Sequence, residues 1–202
     1  MDAEALRVEL AGMDIYLLDE VLKGRFPPGC SILDVGCGAG RNLIWFARNG
    51  FEVHAVDADA DSVAALKVHT KGLLSEDRVC QARIGGLPYE EGSFDAVLCI
   101  AVLHFMQDEE EWHAAVDDLW RVLKPGGVLF ARFGTTISME AHLQHLQGRR
   151  YQLPNGMELY YPDLQALLDK QQELGAEQLE PIKTVNVQHK RTMSNWVLRK
   201  PV

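Results

Sequence analysis

Ile32-Leu33-Asp34-Val35-Gly36-Cys37-Gly38-Ala39-Gly40-Arg41 is the stretch whose reading decides the fold. Apolar residues surround one carboxylate, and glycines then follow at alternate positions. Asn42 to Arg48 can continue as a helix. The pattern reads as strand, tight glycine turn, helix. Glycine lets the backbone enter φ > 0 and lets a ligand approach the main chain with no Cβ in the way. The N–H groups of such a turn favour anionic or polar ligand groups.

The glycine spacing separates cofactor classes. A dinucleotide fingerprint, G-x-G-x-x-G, needs glycine at the third position after its second one. Arg41 stands there, which argues against a nicotinamide oxidoreductase. A Walker A loop would close on Gly-Lys-Ser/Thr, and this turn does not. On this stretch alone, a purely structural βα turn is the alternative.

Upstream, Leu6, Leu10, Met13, Leu17 and Val21 recur at three- and four-residue steps. The spacing predicts one amphipathic helix over 3–22, with Tyr16 beside its apolar stripe. Arg25-Phe26-Pro27-Pro28-Gly29 breaks it, and a strand over 30–35 enters the glycine turn. Downstream, a helix over 40–49 stops at Asn49-Gly50. Residues 51–57 form a second strand ending on Asp57. A carboxylate about 20 residues past a glycine turn, at a strand tip, can accept from both ribose hydroxyls of an adenosine. The competing reading is a helix N-cap, for which Asp59 and Asp61 are better placed.

Residues 78–84 read as strand three and 93–100 as strand four, the latter nearly continuously apolar as buried parallel strands are. Asp108, followed by Glu109, Glu110 and Glu111, opens a helix whose Trp112, Ala115, Val116, Leu119, Val122 and Leu123 stripe is core. Lys124-Pro125-Gly126-Gly127 turns into strand five, 128–133. Strands alternating with helices imply right-handed crossovers and a parallel sheet. A helix over 164–174 and strands at 178–188 and 192–200, joined by a short connection, close the chain as an antiparallel hairpin. The expected sheet is open and seven-stranded, order 3-2-1-4-5-7-6, strand seven antiparallel. Its ligand crevice should lie at the carboxyl ends of strands one and four.

Residues 135–162 differ from the rest, with Thr135, Thr136, His142, His145, Arg149, Arg150, Tyr151, Tyr160 and Tyr161. That composition suits a lid over an acceptor site. The alternative is a solvated connection whose tyrosines pack against the core.

The 202 residues are expected to form one domain, 1–202, with a sizeable core. A net charge of −9 disfavours nucleic acid as a partner. No apolar run approaches the roughly 20 residues of a membrane helix. The acidic start lacks the basic region of a signal peptide, so a cytoplasmic location is the default. Cys30, Cys37, Cys80 and Cys99 have no metal-ligand spacing, so neither a disulfide nor a metal site is expected.

Three further stretches act together with the glycine turn: Gly92-Ser93-Phe94-Asp95, Val102-Leu103-His104 and Arg121-Val122-Leu123-Lys124-Pro125-Gly126-Gly127. The set, over about residues 30–134, resembles the class I S-adenosylmethionine-dependent methyltransferases. With Arg41-Asn42 it is also similar to the small tellurite-resistance type. The resemblance implies a Rossmann-like three-layer α/β/α fold. It implies S-adenosyl-L-methionine as cofactor, S-adenosyl-L-homocysteine as product, and a small-molecule acceptor. Asp34 would anchor the methionine end through its amino group or a water. Gly36, Cys37 and Gly38 would line methionine and ribose, with Tyr16 added to the cofactor set. Asp57 would hold the ribose hydroxyls, and Ala58 would pack on adenine. Backbone at Ile84 and Gly85 would meet the adenine edge, and the carbonyl of Ile100 or Ala101 would accept from the ammonium. Ile84 and Ile100 also fit a plain core role.

One position departs from the family. Arg83 stands where an acidic residue often accepts from the adenine amino group, and arginine has no acceptor. Either backbone carbonyls take that role or Arg83 points away. Base candidates are His104, His142, His145 and Tyr151, each with an equally good structural reading. Two alternatives stay open: a cofactor-binding regulatory module without turnover, and a tRNA or protein methyltransferase, which the acidic charge opposes.

Overall fold

Strand β1 (Ser31–Val35) is buried along its whole length. It lies between parallel neighbours β2 (Glu52–Asp57) and β4 (Phe94–Ile100), and both faces are covered. Adjacent residues Ile32 and Leu33 therefore enter opposite cores, which is why an unbroken apolar run suits this strand. The computed structural model describes residues 2–10 and 12–202. The remaining strands are β3 (Val79–Gln81), β5 (Leu123–Phe133), β6 (Gln144–Gln147), β7 (Arg150–Gln152), β8 (Glu158–Tyr160), β9 (Glu177–Gln178), β10 (Lys183–Val187) and β11 (Arg191–Arg199). The main sheet runs β3-β2-β1-β4-β5-β11-β10, with β11 antiparallel to β5 and β10. This is the expected order 3-2-1-4-5-7-6, but the strand expected over 178–188 is split into the short β9, which pairs with β11, and β10.

The helices are α1 (Ala3–Leu10), α2 (Ile15–Leu22), α3 (Ile44–Arg48), α4 (Ala60–His69), α5 (Glu109–Val122) and α6 (Leu164–Glu173). One core joins Leu33, Val97 and Trp196 to Trp112 and Leu119 of α5 and Leu167 of α6. The other joins Ile32, Leu98 and Phe130 to Leu17 of α2, Phe46 of α3 and Leu66 of α4. The three layers follow from this division. Among the described residues, no helix is long and apolar enough to cross a membrane.

Two of the sequence motifs turn out to hold strands and loops in place. Asp95 accepts from the Ser31 N–H and hydroxyl at 2.9 and 2.7 Å and from Lys124 Nζ at 2.9 Å, clamping the starts of β1, β4 and β5 together. Arg121 pairs with Asp118 at 2.7 Å and donates to the carbonyls of Leu87 and Tyr89. This fixes the loop that follows β3.

Several expectations need correction. The helix expected over 3–22 is two helices, α1 and α2; Ala11 within that span lies outside the described residues. Gly12 has φ +78°, and Asp14 caps α2 by accepting from the Tyr16 N–H at 3.0 Å. Local capping chemistry thus overrides a continuous apolar stripe. The helix after the glycine turn begins at Ile44, because Gly40 at φ +84° cannot be helical. Strand three stops at Gln81, and Gly85 at φ +90° turns the chain. Strand five starts at Leu123, with a register irregularity opposite Phe94 and Ala96.

Residues 135–162 fold into a small antiparallel sheet, β6-β7-β8. Tyr160 and Tyr161 are buried. Tyr160 stacks on Trp112 at 6.0 Å between centroids. Tyr161 lies against Gly134, where a Cβ would sit 2.2 Å from its ring. Of the tyrosines singled out there, Tyr151 alone is only half-buried.

Candidate functional site

A cleft of about 400 Å³ opens at the carboxyl ends of β1, β2 and β4. Of the residues expected there, Gly36, Asp57, Ala58, Ile84 and Ala101 line it. A wider depression of about 540 Å³ lies at the opposite ends of the strands, among Lys23, Arg25, Asp95 and Arg199. It holds none of the expected site residues.

Asp34 stands on β1, two residues before Gly36. It is only 1 % exposed, and its Oδ2 has no hydrogen-bonding partner. Burial pushes its carboxyl up to about 7, against the pull of the Arg41 guanidinium and with the push of Asp57. Leaving such a buried acceptor unmatched costs roughly 1–3 kcal/mol. A cation or donor reaching Oδ2 would recover that cost.

Gly36 has φ +74° and donates to the Val56 carbonyl at 2.8 Å. A Cβ here would lie 2.2 Å from Val102 Cγ2, so both conformation and space require glycine. Gly38, at φ +50°, has open space where a Cβ would be. Its N–H donates to Asp57 Oδ2 at 2.8 Å, while Asp57 Oδ1 accepts from the Asp59 N–H at 3.0 Å. Asp57 therefore ties the glycine turn to the tip of β2. Asp59, not Asp57, caps α4.

Ala101 follows β4 with φ +62°, a left-handed conformation unusual for a residue with a Cβ. Its N–H donates to the Arg132 carbonyl at 2.8 Å. Ile100 and Cys37 are core side chains, 5 % exposed each. Burial pushes the Cys37 thiol far above its ordinary range, so it is no nucleophile. Ile84 is half-buried; Gly85 and Arg83 are exposed, and Arg83 lines the cleft beyond the end of β3. Tyr16 does not line the cleft. The Arg132 guanidinium lies 4.8 Å from its ring centroid and pairs with Asp14 at 3.0 Å.

The four base candidates are dispersed, and none lines the cleft. His104 is buried, and its Nδ1 accepts from the Gly134 N–H at 3.1 Å. Burial pushes it down to about 4, so the ring is neutral at physiological pH. His142 is exposed and stacks on His189 at 4.1 Å. His145 Nε2 bonds the Gly148 carbonyl at 2.9 Å, and Tyr151 lies beside that ring. Among the described residues, no group of three or more His, Cys, Asp or Glu could hold a metal ion.

Sequence reasoning missed Val102, Phe105, Met106, Gln107 and Glu111, all of which line the cleft. Val102 falls in the stretch Val102-Leu103-His104 and Glu111 in the acidic first turn of α5, while the other three had no signal beyond their place after β4. It also missed Arg132, a charge in the otherwise apolar run Val128–Phe133.

Residues 33–131 match the family described as "Methyltransferase domain". A ubiquinone biosynthesis O-methyltransferase of Xanthomonas campestris pv. campestris is 32% identical over 130 residues, 64% of this chain and 53% of that protein. The chain spans about half the length of the curated relatives it matches. A protein of Pyrococcus horikoshii OT3 shares the fold with a TM-score of 0.75 and 18% identity, over 99% of this chain and 100% of that one. A Burkholderia thailandensis 1,6-didemethyltoxoflavin-N1-methyltransferase, with bound 1,6-didemethyltoxoflavin and S-adenosylhomocysteine, shares it with a TM-score of 0.67 and 19% identity, over 100% and 83%. Residues 33–131, about half of the chain, thus match a methyltransferase domain, and the chain shares the Rossmann-like fold of a solved methyltransferase with bound S-adenosylhomocysteine.

Proposed function

We propose that this protein transfers a methyl group from S-adenosylmethionine to a small-molecule acceptor and releases S-adenosylhomocysteine. The observation that carries this reading is Asp34, a buried carboxylate with an unmatched oxygen two residues from the cleft wall at Gly36. An ammonium group is the natural partner for it. In this reading Asp34 holds the methionine ammonium, directly or through one water, and a carbonyl of Ile100 or Ala101 helps it. Gly36, Cys37 and Gly38 present backbone to the methionine and ribose. Asp57 keeps its bonds to the turn and offers its remaining lone pairs to the ribose hydroxyls. Ala58 packs on adenine, with the backbone of Ile84 and Gly85 at its edge.

When bound, the sulfonium supplies an activated methyl group and a neutral thioether leaving group. The chain then supplies position and a shielded site for an in-line displacement. His104 is not assigned as a base, since its Nδ1 is committed to Gly134 and its ring is buried. The whole chain is read as one domain, acting in the cytoplasm, with residues 135–162 as the cover of the acceptor side. β8 packs on residues 103–105, and Arg150 reaches Gln107 Oε1 at 2.9 Å, so the small sheet stands against the cleft wall. An O-methyltransferase among the relatives and an N1-methyltransferase among the structural neighbours both support a small acceptor, and they differ on the atom methylated.

Calorimetry with S-adenosylhomocysteine tests the cofactor reading. Micromolar binding is expected, weakened about tenfold or more in Asp34→Asn, the scale of a lost charged hydrogen bond. Affinity for S-adenosylmethionine should rise from about pH 5.5 to 7.5 as Asp34 ionises, and stay flat in Asp34→Asn. Absence of binding refutes the reading. Release of S-adenosylhomocysteine across a panel of phenols, amines and thiols then identifies the acceptor.

A further inference from the structure

We propose that Glu111 is the side chain that recognises the adenine amino group in this cleft. The inference rests on the cofactor reading above. An adenine ring held beside Ala58 and Ile84 presents an exocyclic N–H₂ that needs an acceptor. Arg83, on the same lip, can only donate. Two acceptor side chains near the opposite wall are Gln107 and Glu111. Gln107 is already committed: its Nε2 donates to the Phe105 carbonyl at 3.1 Å, and its Oε1 accepts from Arg150 at 2.9 Å.

Glu111 is half committed. Its Oε2 accepts from the Gln107 N–H at 2.6 Å, and its own N–H donates to Asp108 Oδ1 at 2.8 Å. The first bond anchors the carboxylate beside the cleft, the second holds the backbone in the first turn of α5, and neither uses Oε1, which has no partner among the described residues. A carboxylate with one oxygen anchored and the other free is a pre-positioned acceptor, with little rotamer entropy left to lose. The plain reading is that Glu111 only caps α5; a cap alone would have no reason to discriminate between bases.

The test is calorimetry with S-adenosylhomocysteine and S-inosylhomocysteine, in which the amino group is replaced by a carbonyl oxygen. The parent protein should prefer the adenine form by about tenfold or more. Glu111→Gln keeps an oxygen for the Gln107 N–H and turns an amide N–H₂ toward the base. It should lose S-adenosylhomocysteine affinity by about tenfold and prefer the inosine form. Glu110→Ala, on the same helical turn, should leave both affinities and their ratio unchanged. Thermal melts of both variants check the fold, and Glu111→Ala, which has no polar side-chain group, should bind the two ligands equally. An unchanged adenine preference in Glu111→Gln and Glu111→Ala overturns the role of Glu111 and leaves the cofactor reading intact. If the parent binds neither ligand, the cofactor reading falls, and this inference with it.

Discussion

The glycine turn with its surrounding strands and the small sheet of residues 135–162 carry their polar groups in opposite ways. Around the turn, polar side chains engage backbone a short distance away in sequence or across one strand. Asp57 holds Gly38 and Asp59, and Asp95 holds Ser31. In the small sheet polar groups reach out of the sheet to exposed side chains of a neighbouring helix and loop: Arg149 pairs with Glu109, and Arg150 bonds Gln107. The first arrangement produces a rigid floor. The second produces a part docked by a few exposed ion pairs, each worth little on its own, and by two buried tyrosines. On the proposed function, the fixed floor would hold the cofactor and the attached part would bear on the acceptor.

The sharpest way to break that comparison is to remove the attached part. Replacing 140–156 by a short Gly/Ser linker should abolish transfer, measured as S-adenosylhomocysteine release with an identified acceptor. Affinity for the cofactor should stay within a few-fold. Transfer at the parent rate would mean that the small sheet covers nothing.

Two alanine substitutions compare the floor with the seam directly. Gly36→Ala adds a Cβ against Val102 at φ +74°. It should cost about 3 kcal/mol or more, since overpacking and backbone strain add. Gly134→Ala adds a Cβ against the Tyr161 ring without a positive φ, and should cost about 1–3 kcal/mol. Denaturant midpoints measure both. In Gly36→Ala/Val102→Ala the steric part should be recovered and the conformational part retained. Equal costs for the two single variants would show that the floor is no more rigid than the seam.

The floor also stores an electrostatic cost. Asp34 is raised from 3.8 to about 7 by burial, so folding takes up a proton in that window and stability falls as pH rises through it. Asp34→Asn should therefore be nearly neutral at pH 4 and stabilising by about 2–4 kcal/mol at pH 8, from roughly 1.4 kcal/mol per pKa unit. Thermal melts across this range, without cofactor, check the sign. A variant less stable than the parent at pH 8 would show that Asp34 has a partner in the folded protein.

The same contrast explains what could be read in the sequence. The sheet order, the glycine turn and Asp57 follow from local pattern: apolar runs buried on both faces, glycines where φ is positive, a carboxylate at a strand tip. Tyr160 and Tyr161 could not be placed this way. Their partners, Trp112 and Gly134, are set by tertiary packing, and a tyrosine in a polar stretch looks the same whether its ring faces ligand or core. Asp14 was missed for a related reason, because one cap in the middle of a regular apolar stripe divides a helix without changing the stripe. Among the cleft residues after β4, Phe105, Met106 and Gln107 carry no pattern, and the turn at Ala101 leads the chain from β4 toward them.

Ala101 offers the smallest and most specific test. At φ +62° its Cβ crowds the backbone at a cost of about 1–2 kcal/mol. Replacement by glycine removes that cost but adds unfolded-state freedom of about 0.5–1 kcal/mol. The net expectation for Ala101→Gly is a gain of about 0.5 kcal/mol in stability. The N–H bond to the Arg132 carbonyl survives, because it involves no side-chain atom. The effect on the ligand should run the other way. Alanine restricts this residue to one of few conformations, and that conformation carries the chain from β4 to Val102 and Phe105 at the cleft wall. Glycine widens the choice, so cofactor affinity should fall about two- to threefold as the wall is ordered on binding. Chemical denaturation and calorimetry on the same sample separate the two. A variant that loses stability would show that Ala101 is unstrained, and one that gains stability with no loss of affinity would show that the wall owes its order to packing and not to this turn.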